Sequence, residues 1–355
     1  MFSSDIYLHG CFSASFGLMS ITGSGGEARF VGRLEAERVQ RLLEQSIAPS
    51  TRVKYTALWR RWDSYCREVD AEPLPAEPSV FESFLANLAF DGSKTNYAAA
   101  AAAVAWRHSI AGFASPAKSP RVVALMAGAK RMLARPTNRK APLTLDLIHK
   151  LIDRVSAPQF IFFDSYSSLR FRFFILASFY AFLRFSDFSV LRLRHFCFFA
   201  DHMTIIIPQS KCDQYRHGDT VTVAVQSDSP IFCPVVAARR YIDLLRRASA
   251  TEESFVLQSV TVGRDGALGL GRQASRAVSL AQLRRGLVSL VSDPAQYSLH
   301  SLRSGGATSA AAVSSVTRDD LKRHGRWASS AVDRYIEPTL DARLSITKKM
   351  AGMNL

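Results

Sequence analysis

Cysteine is scarce in this 355-residue chain, and the little there is lies scattered. Cys11, Cys66, Cys197, Cys212 and Cys233 form no Cys-x-x-Cys pair. That excludes a disulfide framework and a zinc site, and it fits a reducing intracellular compartment. Long apolar runs are missing as well. The longest, residues 173–183, is flanked by Arg172 and Arg184. It is too short to span a bilayer and reads as a buried helix. Residues 1–26 lack a basic segment followed by a cleavage site; rich in Ser, Gly and Phe, they read as a flexible leader. No internal repeat is present. Acidic residues are in deficit: 30 Asp and Glu stand against 45 Lys and Arg, a formal net charge of +15.

That deficit favours a polyanionic partner, because each bound phosphate releases condensed counterions. A merely soluble basic protein would share the composition. The distribution says more. Residues 27–140 hold 18 basic side chains against 11 acidic ones, and residues 141–355 hold 27 against 18. Both halves can therefore touch one nucleic acid. The length favours two domains, and a hydrophobic fraction of 48% supplies ample core.

From residue 35 to about 135 only helices are expected. Residues 35–45 are amphipathic. Ser50 suits the N-cap of a helix reaching Cys66, in which Tyr55, Leu58, Trp59, Trp62 and Tyr65 recur at helical spacing. Glu72-Pro73-Leu74-Pro75 breaks it. Helices follow over 79–89 and 120–133. Between them, alanines 98–103 lead into Val104, Trp106 and Ile110, a strong helix signal. Small side chains there serve either tight helix packing or close approach to DNA.

Arg135 ends this domain (27–135), and residues 136–142 read as a basic linker with two prolines. Such a linker is either simply solvated or laid along a phosphate backbone. A second domain, 143–355, starts with helices over 144–156 and 169–180. Residues 203–208 and 220–225 are β-branched and strand-like, joined as a long hairpin by the polar segment 209–219. The remainder reads as helical: 234–247, 274–289, 301–313, 317–324 and 328–335.

Four short segments carry chemistry. In His300-Ser301-Leu302-Arg303 the spacing of three puts both donors on one helical face. Two such donors can bind two oxygens of one phosphate, and arginine does so as a planar fork. A surface pair would look the same. Gly305 and Gly306 allow another segment to pack closely. Gly325-Arg326-Trp327 precedes Tyr335; taken singly, such a tyrosine belongs to a core. Ala181-Phe182-Leu183-Arg184-Phe185-Ser186-Asp187 ends the Phe-rich helix, and Gln209-Ser210-Lys211-Cys212-Asp213 sits in the hairpin.

Together, in this order, the four segments resemble the tyrosine recombinase (phage integrase) family over roughly residues 30–345, with a Gly-x-Trp ending closer to recombinases of eukaryotic mobile elements. The resemblance implies a mainly α, multidomain fold: a helical SAM-like core-binding domain, then a mixed α/β catalytic domain with a small antiparallel sheet. It implies a site-specific enzyme that cuts and rejoins double-stranded DNA without metal or other cofactor. Arg184 and Arg303 would stabilise the pentacoordinate phosphate. His300 would bond an oxygen or assist proton transfer, and Trp327 would contact the phosphate through its indole N–H. Lys211 would protonate the departing 5′ oxygen. Tyr335 would attack and become a 3′-phosphotyrosine.

Asp187 either orients Arg184 or forms an ordinary i,i+3 ion pair. The Trp327-to-Tyr335 gap is eight residues where many bacterial members have nine, so Arg326 and His324 compete with Trp327 for its place. Arg52, Lys54, Lys94, Arg107, Arg139 and Lys140 are the candidate phosphate contacts. A homotetramer on DNA is implied, with residues 345–350 as a possible docking helix. So is an intracellular location, the nucleus in a eukaryotic host and the cytoplasm otherwise. Rival readings are a type IB topoisomerase and a catalytically silent DNA-binding descendant.

Overall fold

A computed structural model describes residues 33–91, 97–135, 139–157, 165–209, 218–271, 278–327, 329–336 and 340–351. These fall into two compact units divided after Pro136. The leader, Lys94, Lys211, Cys11, Cys212 and linker residues 136–138 lie outside the described residues.

In the first unit, α1 (Arg33–Glu44), α2 (Pro49–Glu68), α3 (Pro78–Phe90), α4 (Tyr97–Ile110) and α5 (Pro120–Met132) follow in turn. Trp62, Phe81, Phe84, Leu85, Leu88, Val104 and Val122 form the core. The alanine run serves packing: Ala100, Ala101 and Ala103 are buried, which lets α2 and α4 come close. His108 ties the unit together. Its Nδ1 donates to Val104 O at 2.8 Å and its Nε2 accepts from Ala76 N at 2.8 Å. Burial lowers its pKa, consistent with that neutral tautomer. Ser50 is not the N-cap of α2. The helix begins at Pro49 with Ala48 capping it, because a proline in the first turn needs no N–H partner and arrives with helical φ.

The second unit starts where the linker was expected to run on. Ala141 N bonds Gln296 O at 2.8 Å, Leu143 N bonds Ser301 O at 3.0 Å, and Lys140 Nζ donates to Ala295 O. Helices α6 (Leu145–Ser156) and α7 (Ser165–Tyr180), the short α8 (Phe185–Phe188) and the sheet strands follow. Strands β1 (Phe196–Phe198), β2 (His202–Ile207) and β3 (Asp219–Ala224) form an antiparallel meander, with Met203 opposite Val223 and Ile205 opposite Val221. Alternate residues of β2 face the core, as period two requires. Helix α9 (Pro234–Arg247) packs on α7 and carries Tyr241 into the core.

Departures from expectation have local causes. Strand β1 and the hairpin of β4 (Val260–Val262) with β5 (Leu268–Leu270) stand where no element was expected. Helix α10 (Leu280–Leu290) starts after Ser279, whose Oγ caps it by accepting from Gln282 N at 3.2 Å; residues 274–277 of the expected helix lie outside the described residues. Helices α11 (His300–Ala311), α12 (Arg318–Gly325) and α13 (Leu340–Met350) complete the helical set. Residues 330–334 form a 3₁₀ turn, Ser330–Arg334, rather than α-helix. Among the described residues no helix is long and apolar enough to cross a membrane.

The two glycines of α11 are pressed against their neighbours. A Cβ on Gly305 would lie 1.9 Å from Leu143 O, and one on Gly306 would lie 2.1 Å from Phe179 O. Those contacts are to backbone, which cannot swing aside. Gly305→Ala should therefore cost about 3 kcal/mol or more of stability. Urea unfolding followed by circular dichroism would show it; a loss under about 1 kcal/mol would contradict the close packing.

Candidate active site

Helix α7 stops at Tyr180 because Phe182 takes a left-handed conformation, φ 47°. Leu183 N closes the turn on Ser178 O at 3.1 Å. Arg184 thus stands at the N-cap of α8, not inside the Phe-rich helix. Asp187, fully buried, accepts from Arg184 N at 3.1 Å. The same carboxylate oxygen lies 3.7 Å from Arg184 Nη1 and 3.6 Å from Arg326 Nη2. Asp187 is therefore more than an i,i+3 partner. It is a buried anion shared by two guanidinium groups.

Arg303 enters from α11 and has no solvent exposure. It donates from Nη1 to Phe182 O and from Nη2 to Gly325 O, the latter at 2.5 Å. A guanidinium has five N–H groups, so three are left; the one on Nε is buried without a partner among the described residues. The guanidinium carbon lies 4.3 Å from the Trp327 ring and 5.4 Å from the Tyr335 ring, a cation–π arrangement on two faces. Burial first, then the Arg184 and Arg326 cations, pushes the Arg303 pKa down from its ordinary value to about 9, while Asp187 and Tyr335 oppose the shift.

Tyr335 follows the 3₁₀ turn and rests on a small cluster of Phe182, Ala307, Leu321, Trp327 and Val332. Its ring lies 5.0 Å from Trp327 and 5.1 Å from His300, centroid to centroid. Thr308 Oγ1 donates to its backbone carbonyl at 2.9 Å. The nucleophile candidate is thereby fastened to the helix that carries His300 and Arg303. Sequence reasoning missed Thr308. The signal was available, since residues 300, 304 and 308 share one face of α11.

Trp327 is buried, and its indole Nε1 has no hydrogen-bond partner among the described residues. An N–H left unpaired in a buried site costs stability unless something arrives to accept it. Its rivals face elsewhere. His324 Nε2 donates to Tyr180 O at 2.7 Å, and burial lowers its pKa. Arg326 bonds the turn around Phe182. Asp219, at the foot of β3, lies near enough to stabilise the Arg326 cation, so the base of the hairpin reaches this cluster.

The structure thus brings together Arg184, Asp187, His300, Arg303, Trp327 and Tyr335, and adds Arg326. Of the candidate phosphate contacts, Arg52 and Lys54 occupy the first turns of α2. Arg107 is held between the rings of Trp59 and Trp106, at 5.6 and 5.7 Å. Arg139 and Lys140 are exposed on the second unit.

No family model matches the chain. A curated relative, an integrase/recombinase xerD homolog from Selenomonas ruminantium, is 26% identical over 304 residues, which covers 84% of this chain and 85% of that protein. Among solved structures, the Tn1549 transposon integrase in complex with transposon right end DNA superposes with a TM-score of 0.54 at 12% identity, covering 88% of this chain and 99% of that one. A lambda integrase tetramer bound to a Holliday junction gives 0.51 at 12% identity, covering 85% and 76%. With a helical unit, a mixed unit holding a small antiparallel sheet, and likeness along most of its length, this chain has the tyrosine recombinase fold and resembles that family in sequence.

Proposed function

We propose that this chain is a tyrosine recombinase that cuts and rejoins duplex DNA at specific sites through Tyr335. One observation carries the reading: three buried or nearly buried guanidinium groups, Arg184, Arg303 and Arg326, gather beside the Tyr335 ring, with Arg184 and Arg326 paired to the buried carboxylate of Asp187. These cations outnumber the carboxylates named around them, even with Asp219 counted beside Arg326. A phosphodiester supplies negative charge, and more of it accumulates on the nonbridging oxygens as phosphorus becomes pentacoordinate.

The roles are those that the resemblance implies, and the chemistry of each side chain supports them. Arg184 and Arg303 stabilise the equatorial oxygens, and the unpaired Trp327 Nε1–H donates to one of them. His300, exposed at the start of α11, bonds another or assists proton transfer. Tyr335 Oη forms a bond to phosphorus as the bond to the 5′ oxygen breaks, and Lys211 gives that oxygen its proton. The 3′-phosphotyrosine conserves the ester, so a 5′-hydroxyl can reverse the step and expel Tyr335. Arg52, Lys54, Lys94, Arg107, Arg139 and Lys140 hold the duplex by its phosphates. Strand exchange takes two duplexes and four protomers.

The test is covalent capture. Nicked duplexes from a randomised library lose the short 5′-hydroxyl strand after cleavage, so the adduct cannot reseal. A denaturant-resistant adduct whose peptide maps to Tyr335 is the expected result. Tight DNA binding with no adduct would leave a DNA-binding protein and sink the enzyme reading. Lys211 has its own check. A 5′-bridging phosphorothioate leaves as a thiolate and needs no acid, so it should restore cleavage to Lys211→Ala; failure to do so removes the general-acid role.

A further inference from the structure

Arg326 was read from sequence only as a rival of Trp327, yet it is one of the most committed side chains at the site. It sits just beyond α12 in a left-handed conformation, φ 58° and ψ 45°. Glycine is the usual residue there, because a Cβ is strained in that region. The strain persists because the side chain is held. Only 8% exposed, it donates from Nη1 to His324 O at 3.2 Å and to Ala181 O at 3.4 Å, and from Nη2 to Phe182 O at 3.3 Å. Phe182 is itself left-handed. Two strained turns thus face each other, one leading into Arg184 and one into Trp327, with the Arg326 guanidinium between them. Strain of this kind survives only where surrounding contacts fix it, and it gathers at functional sites.

The charge arrangement adds a second argument. Asp187 has no solvent exposure and two cationic partners at nearly equal distance, Arg184 at 3.7 Å and Arg326 at 3.6 Å. If Arg184 moved onto a phosphate with no second partner present, a buried carboxylate would be left unpaired, which is costly. Arg326 removes that cost.

We propose that Arg326 is a positioning residue for cleavage. It keeps Asp187 neutralised and the Ala181–Phe182 turn fixed, so that Arg184 is released to the scissile phosphate. This rests on the Tyr335 reading above. The guanidinium itself is turned toward Asp187 and backbone carbonyls, so it is expected to act through Arg184 and not by touching DNA.

The experiment uses the full chain and a nicked duplex recovered by covalent capture, measuring the adduct rate at saturating DNA and, separately, the DNA dissociation constant. Arg326→Met should slow the rate about 100-fold, the scale of a misplaced catalytic group, with affinity within about twofold. Arg326→Lys, which keeps the charge but loses the fork, should fall between. The double variant Arg326→Met with Asp187→Asn should cleave faster than Arg326→Met alone, because no unpaired carboxylate then retains Arg184. A merely structural role would not produce that rescue.

Cleavage by Arg326→Met at nearly the unchanged rate would overturn the proposal. So would a proportional loss of affinity and rate, or the absence of rescue. If Arg326→Met does not fold, Arg326→Lys decides: a slower rate at unchanged affinity supports the proposal, and an unchanged rate overturns it. Failure of the unaltered chain to form a Tyr335 adduct would overturn the Tyr335 reading and this one together. Normal cleavage by the variants would overturn this one alone.

Discussion

Tyr335→Phe should abolish covalent capture, with the adduct rate falling by at least about 10⁴-fold, while DNA affinity and folding stability stay nearly unchanged. The expectation rests on what the substitution removes. The ring keeps its contacts with His300, Trp327 and Arg303, which involve faces and edges rather than the hydroxyl. The bond from Thr308 Oγ1 goes to the backbone carbonyl of residue 335 and survives as well. Only Oη is lost, and without it no oxygen is placed to attack phosphorus. Stability should therefore change by less than about 1 kcal/mol. Three measurements are needed: denaturing electrophoresis of the trapped complex, a binding isotherm at fixed salt, and thermal unfolding. An adduct that persists in Tyr335→Phe would assign the nucleophile elsewhere. A large loss of affinity would make the phenol a binding group.

Much of the candidate site was legible in sequence because the phosphoryl transfer proposed for it restricts residue types. Forked cations, an N–H donor, a hydroxyl nucleophile and an acid have few substitutes, so Arg184, His300, Arg303, Trp327 and Tyr335 stood out by kind and order. The long helices were legible for another reason. Residues such as Trp62, Leu85 and Ile152 repeat at helical spacing over several turns, and that period survives in any fold. Short elements carry no such redundancy. Over five residues, Ser330–Arg334 fits a period of 3.0 as well as 3.6. Strands of three residues, such as β1 and β4, are too brief for alternation to register, although Gly263-Arg264-Asp265-Gly266 was a turn signal that could have located the β4–β5 hairpin.

Arg326 illustrates a deeper limit. Its neighbours Asp187, Ala181 and Phe182 lie about 140 residues away in sequence, and its role depends on a left-handed turn that the sequence does not announce. An arginine outside the familiar spacing reads as a surface charge until its burial is known. The same holds for Phe182. Its carbonyl accepts from both Arg303 and Arg326 only because the chain reverses there.

Arg303→Met should separate stability from function at this cluster. Cleavage should fall by about 10³-fold or more, since a preorganised cation aimed at the phosphate is lost. Stability at neutral pH should hold or rise. The charged guanidinium is buried among two other arginines, and its pKa is lowered, so in its charged form it weakens the fold. Methionine fills similar volume without that charge. What it loses is the cation–π contact with Trp327 and Tyr335 and two hydrogen bonds, to Phe182 O and Gly325 O, each worth about 1 kcal/mol; Phe182 O keeps Arg326 as donor. The sign of the pH dependence follows. Above about pH 9, and below arginine's ordinary range, the unfolded chain holds a proton on Arg303 that the folded chain has released, so the unaltered protein gains stability as pH rises through that window. The Met variant lacks the group and gains nothing. Its advantage should therefore be largest at neutral pH and shrink on entering the alkaline window, which unfolding of both proteins in parallel at several pH values would measure. An Arg303→Met protein several kcal/mol less stable at neutral pH would mean that the carbonyl bonds outweigh the burial of charge, and that Arg303 serves the fold first.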